Sequence, residues 1–368
     1  MSNRLREIEA LGQAIWLDNL HRELVEGGGL RRLIEEDGLS GVTSNPTIFE
    51  KAMGESGGYE ERYREAAKRT DDPEEIFFHL AYGDVRGAAD LLRPVFERTE
   101  GRDGFVSFEL PPALAHDVEG SVREAERHYR AIDRENVMIK VPGTAEGVRA
   151  FEELTARGFN INVTLLFSVL RYREVAEAYI RGLERRLAGG ERIDRAASVA
   201  SFFVSRVDTK VDAALERLGR AELRGRAAIA NAKVAYEAFQ EIFAGPRWEA
   251  LAAKGARVQR PLWASTSTKN PDYPDTLYVD QLIGPDTVNT MPDHTLAAAR
   301  DHATPRRTID EDVEGAQRLL DEIQRVGVDF GHIVLVELVD EGVARFAEDY
   351  NSLIETIGRK ARSLASVS

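Results

Sequence analysis

The chain has 368 residues, of which 43% are hydrophobic and 30% charged, and this composition excludes disorder over most of its length. It contains no cysteine, which excludes disulfides, thiolate-held metals and a cysteine nucleophile. Asp and Glu number 63 against 49 Lys and Arg, and the resulting net charge of −14 argues against binding to nucleic acid or an anionic membrane. A phosphate ligand would therefore need a local basic site.

The N-terminal segment, MSNRLREIEALGQ, contains no apolar core of a signal peptide. No later stretch approaches the ~20 apolar residues of a membrane span. The absence of cysteine also fits a reducing compartment. We therefore expect a cytoplasmic protein.

Short apolar runs typical of strands alternate along the chain with longer segments whose apolar residues recur at helical spacing. The predicted strands are residues 14–18, 41–45, 105–109, 137–141, 161–165, 199–203, 261–265 and 287–291. Helices are most clearly predicted at 121–132, 144–158 and 168–183. This α/β pattern predicts one (β/α)8 TIM-barrel domain over residues 1–368, because no Gly-rich phosphate turn of an open sheet follows the first strand.

Several regions exceed what a minimal barrel needs. A helical insertion is predicted at about 46–104, and a helical C-terminal tail at about 308–368. A further long helical stretch is predicted at 209–243. Residues 333–339, IVLVELV, have strand propensity but lie inside a helical pattern, and we predict helix there.

Polar residues occupy the carboxyl ends of the predicted strands, where the active sites of closed barrels lie. They are Asp18, Asn45, Glu109, Lys140, Asn162, Thr164, Ser201 and Ser265. Each alone has an ordinary explanation as a helix cap, a turn residue or a solvated charge. Because alternate strand residues point inward, their coincidence predicts a reactive site at one mouth of the barrel.

Lys140 is the candidate nucleophile of that site. An ammonium ion is costly to bury unless it is paired or loses its proton, and the free amine attacks carbonyls to form a Schiff base. Imine formation needs a proton shuttle, for which Glu109 is suited, and Asp18 is the candidate for the substrate hydroxyl. The seven His residues form no paired set of ligands at strand ends, which disfavours a metal-dependent aldolase. We expect neither a metal nor a cofactor.

Five segments together resemble the transaldolase family, and they occur in the right order between about residue 14 and about residue 300. They are WLDNL (16–20), GVTSNPTIF (41–49), IKVPGTAEG (139–147), INVTLLFS (161–168) and SFFVSRVD (201–208). The length and the tail resemble the longer bacterial and plant-type branch. The resemblance implies transfer of a dihydroxyacetone unit from sedoheptulose 7-phosphate or fructose 6-phosphate to glyceraldehyde 3-phosphate or erythrose 4-phosphate, in the pentose phosphate pathway.

The resemblance also implies a role for each matching residue. Lys140 would form the Schiff base, Asp18 would be the general base, and Glu109 would act with Thr164 and a bound water. The residues that match substrate-holding positions are Asn45, Asn162, Ser201, Phe203 and the phosphate-binding Arg206.

The chain departs from the family pattern after the seventh strand. There WASTSTKNP (263–271) replaces the arginine-containing turn that the resemblance leads us to expect. Ser265 and Lys269 are therefore the candidates to complete the phosphate site.

Two other functions stay open. The first is a fructose 6-phosphate aldolase, but the resemblance implies that such enzymes carry Gln and Tyr where this chain has Glu109 and Phe203. The second is a non-catalytic sugar-phosphate-binding barrel, which would have no reason to keep Lys140, Glu109 and Asp18 together. The preferred ketose and the oligomeric state stay open as well, a homodimer included.

Overall fold

The computed structural model describes residues 3–55 and 57–365; residues 1, 2, 56 and 366–368 of the predicted domain range lie outside this part. Eight parallel strands pair in chain order, and the first strand also pairs with the last, which closes a barrel. The strands are β1 (Gln13–Asp18), β2 (Gly41–Thr43), β3 (Phe105–Glu109), β4 (Val137–Pro142), β5 (Ile161–Leu166), β6 (Ser198–Phe203), β7 (Arg260–Ala264) and β8 (Thr287–Met291). The predicted (β/α)8 TIM barrel is confirmed.

Helices precede, connect and follow the strands. Before β1 and between β1 and β3 lie α1 (Arg4–Ala10), α2 (Arg22–Glu26), α3 (Gly29–Asp37), α4 (Pro46–Glu55), α5 (Glu60–Ala67) and α6 (Pro73–Arg98). Between β3 and β8 lie α7 (Val118–Ile132), α8 (Ala145–Arg157), α9 (Val169–Ala188), α10 (Ser205–Arg217), α11 (Ala227–Ile242), α12 (Pro246–Ala252) and α13 (Leu277–Gln281). After β8 come α14 (Asp293–His302), α15 (Val313–Arg325), α16 (Phe330–His332), a π-helical turn (Ile333–Glu337) and α17 (Leu338–Ala365).

Two strands end before their predicted ends. β2 stops at Thr43, so the strand predicted to reach residue 45 is too long. Asn45 instead caps α4, since its side-chain oxygen accepts a hydrogen bond from the backbone N–H of Ile48 at 3.1 Å. β7 stops at Ala264, and the next residue, Ser265, has a φ of 56°, outside the β region.

The helical predictions hold with one correction. The stretch predicted at 209–243 is two helices, because the chain turns between α10 and α11 through Gly219 and Gly225, both at positive φ. Residues 333–339 are helical as predicted, as the π-helical turn and the start of α17. The insertion forms α4 to α6, and α17 packs against all three. That these helices and the barrel form one domain stays a prediction.

Inward-facing apolar side chains fill the amino-terminal half of the barrel. The cluster consists chiefly of Ala14, Trp16, Phe105, Met138, Ala197, Val199, Leu262, Ala264 and Val288. Gly41 makes room for the indole of Trp16, since a Cβ atom at position 41 would lie 2.3 Å from the ring. The Trp16 N–H donates to Asp103 at 2.8 Å. The interior of the barrel at this level is therefore packed and is not a pore.

In the part of the chain that the structure describes, no helix combines the length and the apolar character needed to cross a bilayer.

Candidate active site

A cavity of about 380 Å³ opens at the carboxyl end of the barrel. All but one of the residues predicted from the sequence line it. They are Asp18, Asn45, Glu109, Lys140, Thr164, Ser201, Phe203, Arg206, Ser265 and Lys269. With Thr290 of β8, residues from all eight strand ends meet there, because the carboxyl ends of parallel strands share one mouth of the barrel.

Lys140 and Glu109 form a buried ion pair in this cavity. The two residues stand directly opposite each other on β4 and β3, and Lys140 Nζ lies 3.2 Å from Glu109 Oε2. Lys140 is 7% exposed, and it also donates to the backbone carbonyl of Ser44 at 3.3 Å. The amine is therefore held at the cavity wall beside a group that can take its proton.

Asp18 is held by a chain of hydroxyl groups. Thr43 Oγ1 donates to Asp18 Oδ1 at 2.7 Å, and the hydroxyl of Thr290 lies 2.7 Å from that of Thr43. Because the hydroxyl of Thr43 has a single proton, Thr290 is the donor in the second bond. The Asn45 side chain also hydrogen-bonds to Asp18. These bonds orient the carboxyl group at the end of β1.

Burial raises the pKa of both carboxyl groups of the cavity. For Asp18 and for Glu109 loss of solvation is the main cause, and attraction to Lys140 opposes it. The charge of Asp18 raises the pKa of Glu109 further. One ammonium ion cannot neutralise two buried carboxylates, so the site holds protons more readily than exposed carboxyl groups do. Raised pKa values of carboxyl groups suit general acid–base chemistry.

Asn162 is the one predicted site residue that does not line the cavity. It is 0% exposed, although it stands directly opposite Lys140 in the pairing of β4 with β5. Its Nδ2 donates to Ser107 Oγ at 3.1 Å, and its Oδ1 accepts from Ser201 Oγ at 2.7 Å. These two bonds orient Asn162 and Ser201 relative to each other, and that Asn162 holds substrate stays a prediction.

One wall of the cavity is cationic. Burial lowers the pKa of Arg206 and of Lys269, and neither side chain forms a salt bridge with any described residue. The guanidinium of Arg206 lies 5.1 Å from the ring centre of Phe203. Lys269 Nζ donates to Ser267 Oγ at 2.8 Å. Two unpaired cations in a partly buried wall favour an anionic ligand.

The beginning of α10 adds to this wall. Arg206 is its second residue, and the helix starts without a side-chain cap. The backbone N–H groups of Ser205 and Val207 already donate to the carbonyls of Ser265 and Val204, each at 3.0 Å. The hydroxyls of Ser205 and Ser265 lie 2.8 Å apart, which ties this helix to the chain after β7. Ser265 and Arg206 are thereby brought to the same side of the cavity.

Sequence reasoning missed several residues of the cavity. They include Thr43, Thr290, His294, Gly342, Arg345, Phe346 and Asp349. The inward alternation of strand residues could have found Thr43 and Thr290, because each stands two residues from another inward position. The last four come from α17, and only their helical spacing on one face could have marked them.

Comparisons with known proteins agree with the resemblance seen in the sequence. The family model described as transaldolase/fructose-6-phosphate aldolase matches residues 15–357. A protein of Thiobacillus denitrificans named transaldolase is 50% identical over 359 residues, which cover 97% of this chain and 100% of the relative. A transaldolase of a Parafrankia species is 48% identical over 370 residues, covering 100% of both chains. A Nostoc protein named transaldolase 2 is 44% identical over 378 residues, covering 99% of both. Matches of this extent show that the chain belongs to the transaldolase/fructose-6-phosphate aldolase family.

Proposed function

We propose that this chain, as a transaldolase, carries a dihydroxyacetone unit on Lys140 from a ketose phosphate to an aldose phosphate in the pentose phosphate pathway. The donors are sedoheptulose 7-phosphate or fructose 6-phosphate, and the acceptors glyceraldehyde 3-phosphate or erythrose 4-phosphate. The observation that carries the proposal is the buried pair of Lys140 and Glu109 with Asp18 in the same cavity. Each of these three groups has one role in the reaction.

Imine formation begins when Glu109 takes the proton of Lys140. The free Nζ then attacks the ketone carbon and forms a C–N bond, while the carbonyl oxygen gains a proton and becomes a hydroxyl group. Loss of that hydroxyl as water leaves a protonated imine. Glu109 supplies and receives these protons, aided by the nearby Thr164 hydroxyl and a water molecule. Its raised pKa makes it a stronger proton acceptor than an exposed glutamate.

Cleavage follows when Asp18 takes the proton of the substrate hydroxyl. The oxygen forms the new aldehyde, the adjoining carbon–carbon bond breaks, and its electron pair moves into the protonated imine to give an enamine. The aldehyde leaves, and the three-carbon enamine stays on Lys140. The acceptor aldehyde then reacts by the same steps in reverse, with Asp18 returning its proton.

The cationic wall would hold the phosphate group. Arg206 and Lys269 supply charge, and the Ser265 hydroxyl supplies a hydrogen-bond donor. A protein with a net charge of −14 needs such a local site, because its average field repels a phosphate dianion.

Borohydride trapping tests this proposal. Protein incubated with fructose 6-phosphate and borohydride should gain a reduced three- or six-carbon adduct on the peptide that contains Lys140. Lys233, which is also buried but lies outside the cavity, should stay unlabelled. An adduct on another lysine, or an active Lys140→Ala variant, would overturn the assignment.

A second assay separates transfer from simple aldol cleavage. With fructose 6-phosphate alone a transferase releases little product, and addition of erythrose 4-phosphate should release glyceraldehyde 3-phosphate and form sedoheptulose 7-phosphate. A fructose 6-phosphate aldolase would release free dihydroxyacetone without an acceptor. A cytoplasmic location and a homodimer belong to the proposal as predictions, to be checked by cell fractionation and light scattering.

A further inference from the structure

The C-terminal helix forms part of the cavity wall. Gly342, Arg345, Phe346 and Asp349 of α17 all line the cavity, at the spacing of residues on one face of a helix. These residues lie more than 50 positions beyond the end of β8, the last strand. The site is therefore completed by a helix whose sequence lies outside the barrel itself.

Ion pairs and close packing hold the beginning of α17 against the barrel mouth. Lys210 of α10 lies 2.9 Å from Glu337 and also pairs with Glu341. Gly342 lies flush against the end of β5, where a Cβ atom at this position would be 3.1 Å from Leu165 Cδ2. The position of the helix is thus set by packing and by charge. Arg345, three residues after Gly342, lines the cavity.

We infer that Arg345 is a third phosphate-binding cation of this site and helps to determine its preference for phosphorylated substrates. The inference rests on the proposed function and deepens it. Arg206 and Lys269 come from the chain after β6 and β7, whereas Arg345 comes from α17. A phosphate dianion bound among the three would bridge the barrel and the C-terminal helix. Its several oxygens can accept hydrogen bonds from all three side chains at once.

The electrostatics of the described residues support this role. Burial is the main reason that the pKa values of Arg206 and Lys269 are lowered, and the nearby positive charge of Arg345 lowers both further. None of the three side chains has a salt-bridge partner among residues 3–55 and 57–365. Asp349 is the carboxylate on the same helix face, and its Oδ2 accepts a hydrogen bond from Thr47 at 3.0 Å. Three cations that repel one another across one cavity wall bind an anion favourably, because the anion relieves the repulsion.

The test compares Arg345→Ala with a matched arginine of the same helix. Arg359→Ala removes the same charge from an exposed position of α17 that does not line the cavity, so it serves as the control. KM and kcat are measured with fructose 6-phosphate as donor and with either erythrose 4-phosphate or unphosphorylated glyceraldehyde as acceptor. Circular dichroism checks that each variant is folded.

Arg345→Ala should raise KM for both phosphorylated substrates about 3- to 10-fold with little change in kcat. The effect should be of this size because contacts of an exposed cation are weakened by solvent. The KM for glyceraldehyde should not change, Arg345→Lys should restore most of the loss, and Arg359→Ala should match the wild type. The loss should shrink as salt is added, because exposed charges are screened. Equal KM values in wild type and Arg345→Ala, or equal losses for both acceptors, would overturn the inference.

A binding measurement separates this inference from the proposed function. If the wild type transfers no three-carbon unit, the proposed function fails, but binding of inorganic phosphate can still be titrated by calorimetry. Weaker binding to Arg345→Ala than to Arg359→Ala would support the cation site. Equal affinity for inorganic phosphate in the two variants would overturn it, whatever the activity.

Discussion

Lys140 Nζ lies 3.2 Å from Glu109 Oε2, and the two residues are directly opposite each other in the pairing of β4 with β3. Because strand register is fixed along the whole barrel, this pair exists before substrate arrives. A preformed pair avoids the cost of orienting the proton acceptor during the reaction. Because Glu109 and not Asp18 is paired with Lys140, substitutions of the two carboxyl groups should affect different steps.

Asp18→Asn and Glu109→Gln should fail at different steps. Asp18→Asn should still form the imine, because Glu109 and Lys140 are intact, but should cleave the sugar poorly. Glu109→Gln should already form the imine slowly, since proton transfer to and from the amine is lost. Each loss should be on the order of 10²- to 10⁴-fold in the affected step. Rapid-quench borohydride trapping measures imine formation, and aldehyde release measures cleavage. Equal defects of both variants in trapping would contradict this division of roles.

Arg206→Ala should lower kcat/KM selectively for phosphorylated acceptors. The change removes a charge-assisted contact worth roughly 1.5–3 kcal/mol, which corresponds to a ~10- to 150-fold loss. Transfer to unphosphorylated glyceraldehyde should be affected little, because no phosphate is then left without its partner. Steady-state kinetics with glyceraldehyde 3-phosphate and with glyceraldehyde make the comparison. If both acceptors lost activity equally, Arg206 would be structural, and the phosphate contact would have to come from Lys269 and its neighbours.

Gly41→Ala should destabilise the barrel. A Cβ atom there would lie 2.3 Å from Trp16 Cε2, and the indole is fully buried with its N–H bonded to Asp103. Overpacking of this kind costs about 1–3 kcal/mol of unfolding free energy. Gly331→Ala is the matched control, since no atom lies within 4 Å of its added Cβ. Urea titration should show a lower midpoint for Gly41→Ala and no loss for Gly331→Ala. A neutral Gly41→Ala would mean that Trp16 repacks freely.

Asp208→Asn should change how stability depends on pH. Burial raises the pKa of Asp208 from 3.8 to about 7, although the backbone N–H of Ala228 and the hydroxyl of Tyr278 donate to its carboxylate. Between pH 3.8 and about pH 7, Asp208 keeps its proton in the folded chain but loses it in the unfolded chain. The contribution of Asp208 to stability therefore falls as pH rises through this range. Above pH 7 that contribution is lost.

The wild type should therefore lose on the order of 2–3 kcal/mol more than Asp208→Asn between pH 5 and pH 8. The free energy of unfolding in urea, measured at several pH values, checks this. Asp340→Asn removes an exposed carboxyl group and should follow the wild-type profile. Parallel profiles for wild type and Asp208→Asn would show that the buried carboxyl group does not titrate in this range.

The sequence alone was sufficient for the barrel and for most of the cavity. Strand periodicity of two and parallel pairing together bring the carboxyl ends of the strands to one mouth, so Asp18, Glu109 and Lys140 could be placed there from their positions. The motifs around these residues also identified the family, and the family model and the named relatives agree with that identification. Local patterns were sufficient because each of these residues is positioned by its own strand.

Only the tertiary structure decided the remaining features. Asn162 stands opposite Lys140 in strand register, but the partners of its side chain, Ser107 of β3 and Ser201 of β6, come from strands that are distant in sequence. Arg345 reaches the phosphate wall because α17 packs across α4, α5 and α6, which are distant in sequence. A local pattern marks the face of a helix, whereas the place where that face docks is set by long-range packing.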